Sequence, residues 1–479
     1  MARTAKKEKA LTPEEKLAQA LVPNTEQPYR VPENWCWVTA SSLASVISKG
    51  TTPQGGKHAY TDTGISFLRV ENILDDGTIS HENIMHVSEE MHSGFLKRSV
   101  LQEGDILVSI AGTLGKTAIM RKYDLPMNTN QAVSFIRLKC EEISRKYVKL
   151  AIDTPIIQSH LLSQTKVTAI PNLTLEIIGS CPIPLAPLAE QQRIVDRIES
   201  LFTKLDEAKE KAQAVVDGFE DRKAAILHKA FTGELTAEWR AKREMALSSW
   251  EKKIIADFAE VKGGKRLPKG CSLTTEKTDH PYLRIADFGD DTIDQSDIHY
   301  ITDDIYQQIS RYIIENGDVY ISIVGTIGKC GTVPEELSGA NLTENAARII
   351  TRTTLPRYLV GFLSSPKAQE DIKGRIRSAT LGKLSLTNIN NIVVPIPAKE
   401  EQQEIITILD KLLKMEIKAK ETAEQVIDQI DTMKKSILAR AFRGELGTND
   451  PGDESAVELL KRVLKEDVCV HEFIKKNNL

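Results

Sequence analysis

"EGDILVSIAGTLGK", Glu103 to Lys116, is an apolar run of strand character that ends in a glycine turn. "NGDVYISIVGTIGK", Asn316 to Lys329, writes the same run and the same turn again, 213 residues later. One reading of such a turn is a phosphate-binding loop, which needs G-x-x-x-x-G-K-[ST] so that successive backbone N–H groups wrap the phosphates. The first glycine of that pattern would fall on Ile110 in one copy and Ile323 in the other. The second copy also carries Cys330 where the magnesium-binding hydroxyl belongs. A nucleotide site fails in both places, so the informative property of the stretch is that it is duplicated.

Other anchors keep the same order. "FLRVENI" from Phe67 matches "YLRIADF" from Tyr282 at an offset of 215. "CPIPLAPLAEQQRI", ending at Ile194, matches "VPIPAKEEQQEI", ending at Ile405, at 211. "AFTGEL" from Ala230 matches "AFRGEL" from Ala441, again at 211. Fixed order with a small drift in offset is a duplication with insertions and deletions in loops.

Each copy has a globular part and a helical part. In the globular part, β-branched runs punctuated by Gly, Pro and Asn read as strands, and "KYVKLAIDTPIIQSHLL" and "RYLVGFLSSPKAQEDI" read as helices. The expectation is an α/β domain. The helical part shows spacings of three and four: Ile194, Ile198, Leu201, Leu205, Ala208, Ala212, Val215 and Phe219. The second copy gives Ile405, Leu409, Leu412, Glu416, Ala419, Ala423, Val426 and Ile430, with one lapse at Glu416. This is a coiled-coil seam. At about 1.5 Å per residue each helix spans roughly 60 Å. Alone it cannot bury its stripe, so the two are expected to pair antiparallel, with a globular domain at either end and pseudo-two-fold symmetry. Gly233 and Gly444 stand where C-caps would stop them. The expected domains are an N-terminal extension (1–30), a first globular domain (31–187), a spacer helix (188–240), a second globular domain (241–397), a second spacer helix (398–446) and a C-terminal extension (447–479). In the N-terminal extension, Thr12-Pro13-Glu14-Glu15 reads as a capping box. In the C-terminal one, "ESAVELLKRVLKE" reads as a helix that either packs beside the N-terminus to close a ring or decorates a partner interface.

With 479 residues, 41% hydrophobic and 27% charged at a net charge of -4, the composition is that of an ordinary soluble chain of several domains. No apolar run approaches the roughly 18 residues of a membrane helix, and the first residues have no apolar core of a signal peptide. Six scattered cysteines form no C-x-x-C, which fits a reducing cytoplasm and no zinc ribbon. The acidic total does not exclude a DNA reader, because binding depends on where Lys and Arg cluster.

Catalytic signatures are missing: there is no [DN]-P-P-[YF], H-E-x-x-H or G-x-S-x-G. His81, His86 and His92 fit neither one helix face nor a zinc spacing and read as a solvated segment. Glu207-Ala208-Lys209 reads as coil surface. What remains is basic and amide-rich loop content in both copies. The first has Lys49, Lys57 and Tyr60, then Lys116, Asn128, Asn130, Gln131 and Lys166; the second has Lys262, Lys265 and Arg266, then Lys329, Asn341, Asn345, Arg375, Arg377 and Lys383. Arg, Lys, Asn and Gln carry the donors that read guanine and adenine edges and hold phosphates. No residue set suggests a metal or a cofactor.

The segments "IPNLTLEIIGSCPIPLAPLAEQQRIVDRIE" and "KAFTGELTAEWR", with their copies "LSLTNINNIVVPIPAKEEQQEII" and "ILARAFRGEL", resemble the specificity subunit of type I restriction–modification systems. The openings "GTTPQGG…GISFLRVENI" and "GGKRLPKG…HPYLRIADF" are similar to the starts of that family's target-recognition domains. The resemblance covers about residues 30–446 and rests on the paired P-[IL]-P…EQQ…AF-x-GEL order. It implies a noncatalytic subunit that reads a split, asymmetric double-stranded DNA site, one recognition domain per half, with the helices fixing the gap. It implies partners: two DNA methyltransferase subunits acting on adenine and ATP-dependent restriction–translocase subunits. Gly112, Gly115, Gly325 and Gly328 then become structural turn residues with unusual φ. A methylation-only system would use a similar subunit, and a coiled-coil interaction scaffold that never touches DNA is a reading from another class.

Overall fold

The structure is a computed structural model and describes residues 11–164, 172–289, 291–376 and 382–465. The chain divides into two compact units, Met1–Glu210 with Ile427–Leu479, and Lys211–Val426. These cut across the sequence domains: each unit holds one α/β domain and a portion of both long helices.

In the first unit, β2 (Ala44–Lys49), β8 (Val133–Leu138), β5 (Ile106–Ser109) and β6 (Thr117–Ile119) form an antiparallel sheet in that order. A second sheet has the order β4 (Met85–Val87), β3 (Ile65–Leu68) and β7 (Met127–Thr129), with β3 and β7 parallel. The strands β1 (Cys36–Thr39) and β9 (Pro182–Leu185) pair at the base. The second unit repeats the plan. Its first sheet is β11 (Ala259–Gly263), β18 (Ala346–Thr351), β15 (Val319–Ser322) and β16 (Cys330–Thr332). Its second is β13 (His299–Tyr300), β12 (Pro281–Leu283), β17 (Ala340–Leu342) and β14 (Ile313–Ile314), and its base pair is β10 (Glu251–Ile254) with β19 (Val393–Ile396). The extra strand β14 stands where the first copy makes a single bridge, Val100 to Asn128.

The twin glycine turns are structural. Ser109 Oγ accepts from Lys116 N at 2.8 Å and donates to Thr113 O at 2.6 Å. Ser322 Oγ accepts from Lys329 N at 2.9 Å and donates to Thr326 O. Gln158 and Gln369 each donate to the turn carbonyl, Gly115 O and Gly328 O, both at 3.0 Å. All four glycines have φ between 74° and 91°, a region that costs residues with a Cβ.

The "EQQ" motif welds each helix to its domain. Gln191 accepts from Ser144 N at 3.1 Å and donates to Ala186 O at 2.9 Å; Gln402 accepts from Leu355 N at 2.9 Å and donates to Pro397 O at 2.9 Å. Glu190 accepts from the Trp35 indole at 2.7 Å and from Asn449 at 2.9 Å. Glu401 accepts from the Trp250 indole at 2.9 Å, from Thr236 at 2.7 Å and from the Arg240 guanidinium. All four Glu and Gln side chains are buried, so each donor is needed to offset lost hydration.

One long helix runs unbroken over Lys399–Ala441; the other runs over Leu188–Asp217, is interrupted at Gly218 and resumes over Phe219–Phe231. The interruption departs from the expected continuous helix. Glycine is a weak helix former, and Arg222 reaches back there to the Val215 carbonyl at 2.8 Å. Within the first unit Lys209 pairs with Asp431 at 2.8 Å and Asp206 with Lys434, so the helices run antiparallel. Within the second, Arg222 pairs with Glu416 at 2.7 Å and Lys420 lies over the Phe219 ring at 5.0 Å, again antiparallel. The lapse at Glu416 is thus filled by a cation from the facing helix.

Of the seam residues, Ile194, Ile198, Phe219, Ile405, Leu409 and Ile430 are buried. Leu201, Leu205, Val215 and Leu412 are half-buried, Leu413 is buried beside Leu412, and Val426 is exposed. Two helices cover less than a full circle of side chains, and the stripe is fully covered chiefly where a globular domain adds its own.

The extensions belong to the first unit. The helix Pro13–Ala20 starts on the expected capping box. A helix over residues 456–465 buries Ala456, Leu459, Leu460 and Val463 in the first unit's core. Asn34 donates to Asp450 O at 3.1 Å, Tyr29 to Phe442 O at 3.0 Å, and Arg462 pairs with Glu142 at 3.2 Å. The C-terminal extension therefore packs on the first globular domain, at Asn34 and Glu142, and shares the core that also holds Ala20 and Val22 of the N-terminal extension. Among the described residues no helix is long and apolar enough to cross a membrane.

Candidate nucleic-acid interface

In each unit a loop leaves the edge strand and crosses the turn that leads into the central strand. In the first copy Gly50 N donates to Val133 O at 3.1 Å and Thr51 N to Thr129 O at 3.0 Å. A Cβ on Gly50 would sit 2.1 Å from Thr129 O. In the second copy Gly264 N donates to Ala346 O at 3.0 Å and Lys265 N to Leu342 O at 2.8 Å, and a Cβ on Gly264 would sit 2.0 Å from Thr343 O. Only glycine permits that crossing.

The crossed turn is also built alike. Ala132 N donates to Asn130 Oδ1 at 3.1 Å, and Asn345 N to Thr343 Oγ1 at 3.4 Å. Asn130 therefore corresponds to Thr343, Gln131 to Glu344 and Ala132 to Asn345, the same offset of 213 that relates the glycine turns. Across this frame the side chains form one clasp per copy. Thr52 donates to the Gln131 amide oxygen; Arg266 donates to the Glu344 carboxylate at 2.7 Å. Partial burial alone would raise the Glu344 carboxyl, but its hydrogen bond from Arg266, with those from its own backbone and Thr343, holds it below the usual range.

Cations flank both clasps. Arg98 is exposed and donates to Thr51 Oγ1 at 3.0 Å; Lys49 is exposed one residue before the crossing. In the second copy Lys265 lies over the Tyr312 ring at 5.5 Å, and Arg311 is exposed beside it. Arg98 and Arg311 escaped the sequence reading, although they sit at the same offset of 213 that relates the glycine turns.

The other candidates fall elsewhere. Lys116 donates to Ile73 O at 3.2 Å and pairs with Asp75 at 2.7 Å, so its ammonium is used inside the domain. Lys329 is half-buried at the equivalent turn. Tyr60 packs edge-on to Phe67 at 5.5 Å. Lys262 pairs with Glu260 at 3.0 Å, Arg375 pairs with Asp371 at 2.9 Å, and Lys383 is exposed. Asn128 and Asn341 are buried and donate to Leu96 O and Ile309 O at 3.1 and 2.9 Å. Lys166 and Arg377, and the side chain of Lys57, lie outside the described residues. The histidines do not converge: His81 contacts Asp124 at 2.8 Å and His92 contacts Asn128 at 2.6 Å. Among the described residues no group of His, Cys, Asp and Glu could hold a metal ion.

The first unit also has a cleft of about 1700 Å³ between its globular domain and the long helices. Its charges are largely matched, with Lys146 on Glu199 at 2.6 Å, Lys149 on Asp153 at 2.8 Å and Lys209 on Asp431. Paired cations offer phosphates little, so the interface candidate is the clasp edge.

The DNA specificity domain of type I restriction–modification systems matches residues 32–216 and again 248–429. The type I restriction enzyme EcoBI specificity subunit of Escherichia coli is 24% identical over 463 residues, 91% of this chain and 92% of its own. The EcoKI specificity subunit of Escherichia coli (strain K12) is 23% identical over 466 residues, 91% of this chain and 96% of its own. In fold, the chain is similar to the HsdS subunit from Thermoanaerobacter tengcongensis, with a TM-score of 0.59 and 19% identity over 88% of this chain and all of that one. A chain from a structure of type I R-M complex assembly gives a TM-score of 0.65 at 19% identity, with the same coverage. Matched in both of its copies, the chain belongs to the type I restriction–modification DNA specificity family.

Proposed function

We propose that this chain is the noncatalytic DNA-reading subunit of a type I restriction–modification complex. Each globular domain reads one half of a split, asymmetric site in double-stranded DNA. The paired helices set the gap between the halves. The chain presents that DNA to DNA methyltransferase subunits, two per complex, and to restriction–translocase subunits, which supply adenine methylation and ATP-dependent cleavage. Cytoplasmic residence follows from DNA as the ligand.

The observation that carries this reading is the family match in both copies, at 32–216 and 248–429. Two readers on one chain bind as a bivalent ligand, because the second engagement is intramolecular and its effective concentration is high. Either half-site alone then binds weakly. Chemistry on an adenine requires the base to leave the stack, a task for the methyltransferase; the reader only binds and positions.

Co-expression with the methyltransferase subunit, followed by sequencing of methylated adenines, tests the proposal. The expected result is a two-part motif with a fixed, nonspecific gap. A coiled-coil scaffold without DNA binding predicts no motif, and that outcome would sink the reading. Neighbouring reading frames distinguish a restricting system from a methylation-only one.

A further inference from the structure

Two copies of one domain that read different half-sites must differ where bases are read and agree where the reader is held. The clasp meets both conditions. Its frame is the same in each copy: the crossing glycine, its two backbone hydrogen bonds and the capped turn beneath it. The side chains on that frame differ in kind, Thr52 with Gln131 in one copy and Arg266 with Glu344 in the other.

We infer that the two clasps are the specificity-determining positions, Gln131 reading an adenine in one half-site and Arg266 with Glu344 reading a G·C pair in the other. The inference rests on the chain being a DNA reader.

The chemistry follows from the donor inventory. The Gln131 amide oxygen accepts from Thr52 with one lone pair and keeps a second for the adenine N6 amino group, while its NH2 donates to N7. Thr52 thereby fixes which way the amide faces. Arg266 is 79% exposed at its side chain and gives Nε to Glu344. Its terminal nitrogens are the ones a guanine O6/N7 edge engages, and the Glu344 carboxylate bonded to it can accept from the cytosine N4 amino group. A carboxylate at the reading edge also repels phosphate, so it favours a base over the backbone. Arg98 and Lys49 in the first copy, with Lys265 and Arg311 in the second, sit beside the clasps as phosphate holders, which position without specifying.

The test exchanges one clasp. Thr52→Arg with Gln131→Glu installs the second copy's pair on the first copy's frame, and the variant is co-expressed with the methyltransferase subunit and its methylome sequenced. The expected result is a change at one base pair of one half-site, from A·T to G·C, with the other half and the gap unchanged. Separately, Arg266→Ala is expected to relax one G·C position in the opposite half by roughly ten- to a hundred-fold. Gln131→Ala, a truncation of an exposed side chain, replaces the double variant if the latter fails to fold. Relaxation of a single A·T position then supports the inference.

An unchanged motif from a folded variant overturns it, and so does loss of specificity in both halves from a variant with an unaltered unfolding midpoint. If the wild-type complex itself gives no two-part motif, the proposed function falls and this inference with it. A wild-type motif with an inert clasp removes the inference alone.

Discussion

Phe442 lies against Tyr147 with ring centroids 5.0 Å apart. The "AFRGEL" that ends the second helical region therefore docks on the first globular domain. In the second unit the equivalent Phe231 lies against Tyr358 at 5.3 Å. Each domain is thus closed by the end of the helix that does not begin on it, and the first unit cannot complete its core until residues near the C-terminus arrive.

Phe442→Ala should accordingly destabilise the first unit by about 3–5 kcal/mol, the usual cost of emptying an aromatic site in a core. Phe442 is fully buried, whereas Phe231 is half-buried, so Phe231→Ala should cost less. Urea unfolding read by fluorescence, with Trp35 and Trp37 in the first unit and Trp239 and Trp250 in the second, separates the two. Equal small losses would mean that the C-terminal docking contributes little.

The buried carboxylates make a sharper pair. Glu401 faces Arg240, whose side chain is 7% exposed, while Glu190 faces the neutral donors Trp35 and Asn449. Removing one member of a buried ion pair strands the other at a cost of about 3–5 kcal/mol. At Glu190 the groups left behind are neutral donors, and leaving one unsatisfied costs about 1–3 kcal/mol. Glu401→Gln should therefore be the more damaging substitution, and Arg240→Met in the same chain should restore part of the loss. Equal effects of the two Glu→Gln changes in denaturant titrations would refute the difference.

Much of this architecture is legible in the sequence because it is periodic or repeated. The capping box at Thr12, the glycine stops at Gly233 and Gly444, and the duplicated strands all follow from local chemistry or from offsets. Side chains whose partners lie far along the chain are not legible. Asn128 and Asn341 look like base readers, yet each is spent on a buried carbonyl, because a strand interior and a loop share the same residue type. Glu190 and Gln191 are visible as a motif but not as a weld, since their partners Trp35, Ser144 and Asn449 are set by tertiary contact. Val426 keeps the heptad spacing and still faces solvent, because spacing fixes a helix face and not what covers it. Arg98 and Arg311 share the offset of 213, but they stand outside any glycine-rich loop, so local chemistry does not mark them.

Thiol chemistry offers a pH-dependent check. Burial pushes the thiols of Cys36, Cys181 and Cys330 up to about 12, and the thiolate is the reactive form. At pH 8 a thiol at that value is ionised at about one part in ten thousand. A thiol-specific reagent should label the half-exposed Cys140 and Cys271 in the native chain and reach those three only on unfolding. Labelling followed by peptide mapping decides it, and fast native modification of Cys330 would contradict the burial.

The glycine turn makes a graded prediction. Gly112 and Gly115 both have positive φ, but a Cβ on Gly112 meets nothing within 4 Å while one on Gly115 meets Gln158 Oε1 at 2.2 Å. Gly112→Ala should cost about 1–2 kcal/mol for the left-handed backbone alone. Gly115→Ala should cost a further 1 kcal/mol or so, as Gln158 is displaced from its hydrogen bonds to the Gly115 and Ile152 carbonyls. Calorimetry with ATP should register no binding to the purified chain, whereas a signal abolished by Lys116→Met would reinstate the phosphate-loop reading.

The gap in the recognised site is set by helix length if the proposed function holds. Seven residues of helix rise about 10 Å, which is about three base pairs at 3.4 Å per step. Lys209 faces Asp431 and Asp206 faces Lys434, so removing a facing heptad from each long helix keeps the seven-residue repeat and the charge pairing in phase. Such a chain, co-expressed with the methyltransferase subunit, should methylate a site whose two halves read the same bases across a gap about three base pairs shorter. It should also lose affinity, because three base pairs turn one half-site by about 100° around a duplex of roughly ten base pairs per turn. A methylome with the original gap would show that the distance between half-sites is measured by something other than these helices.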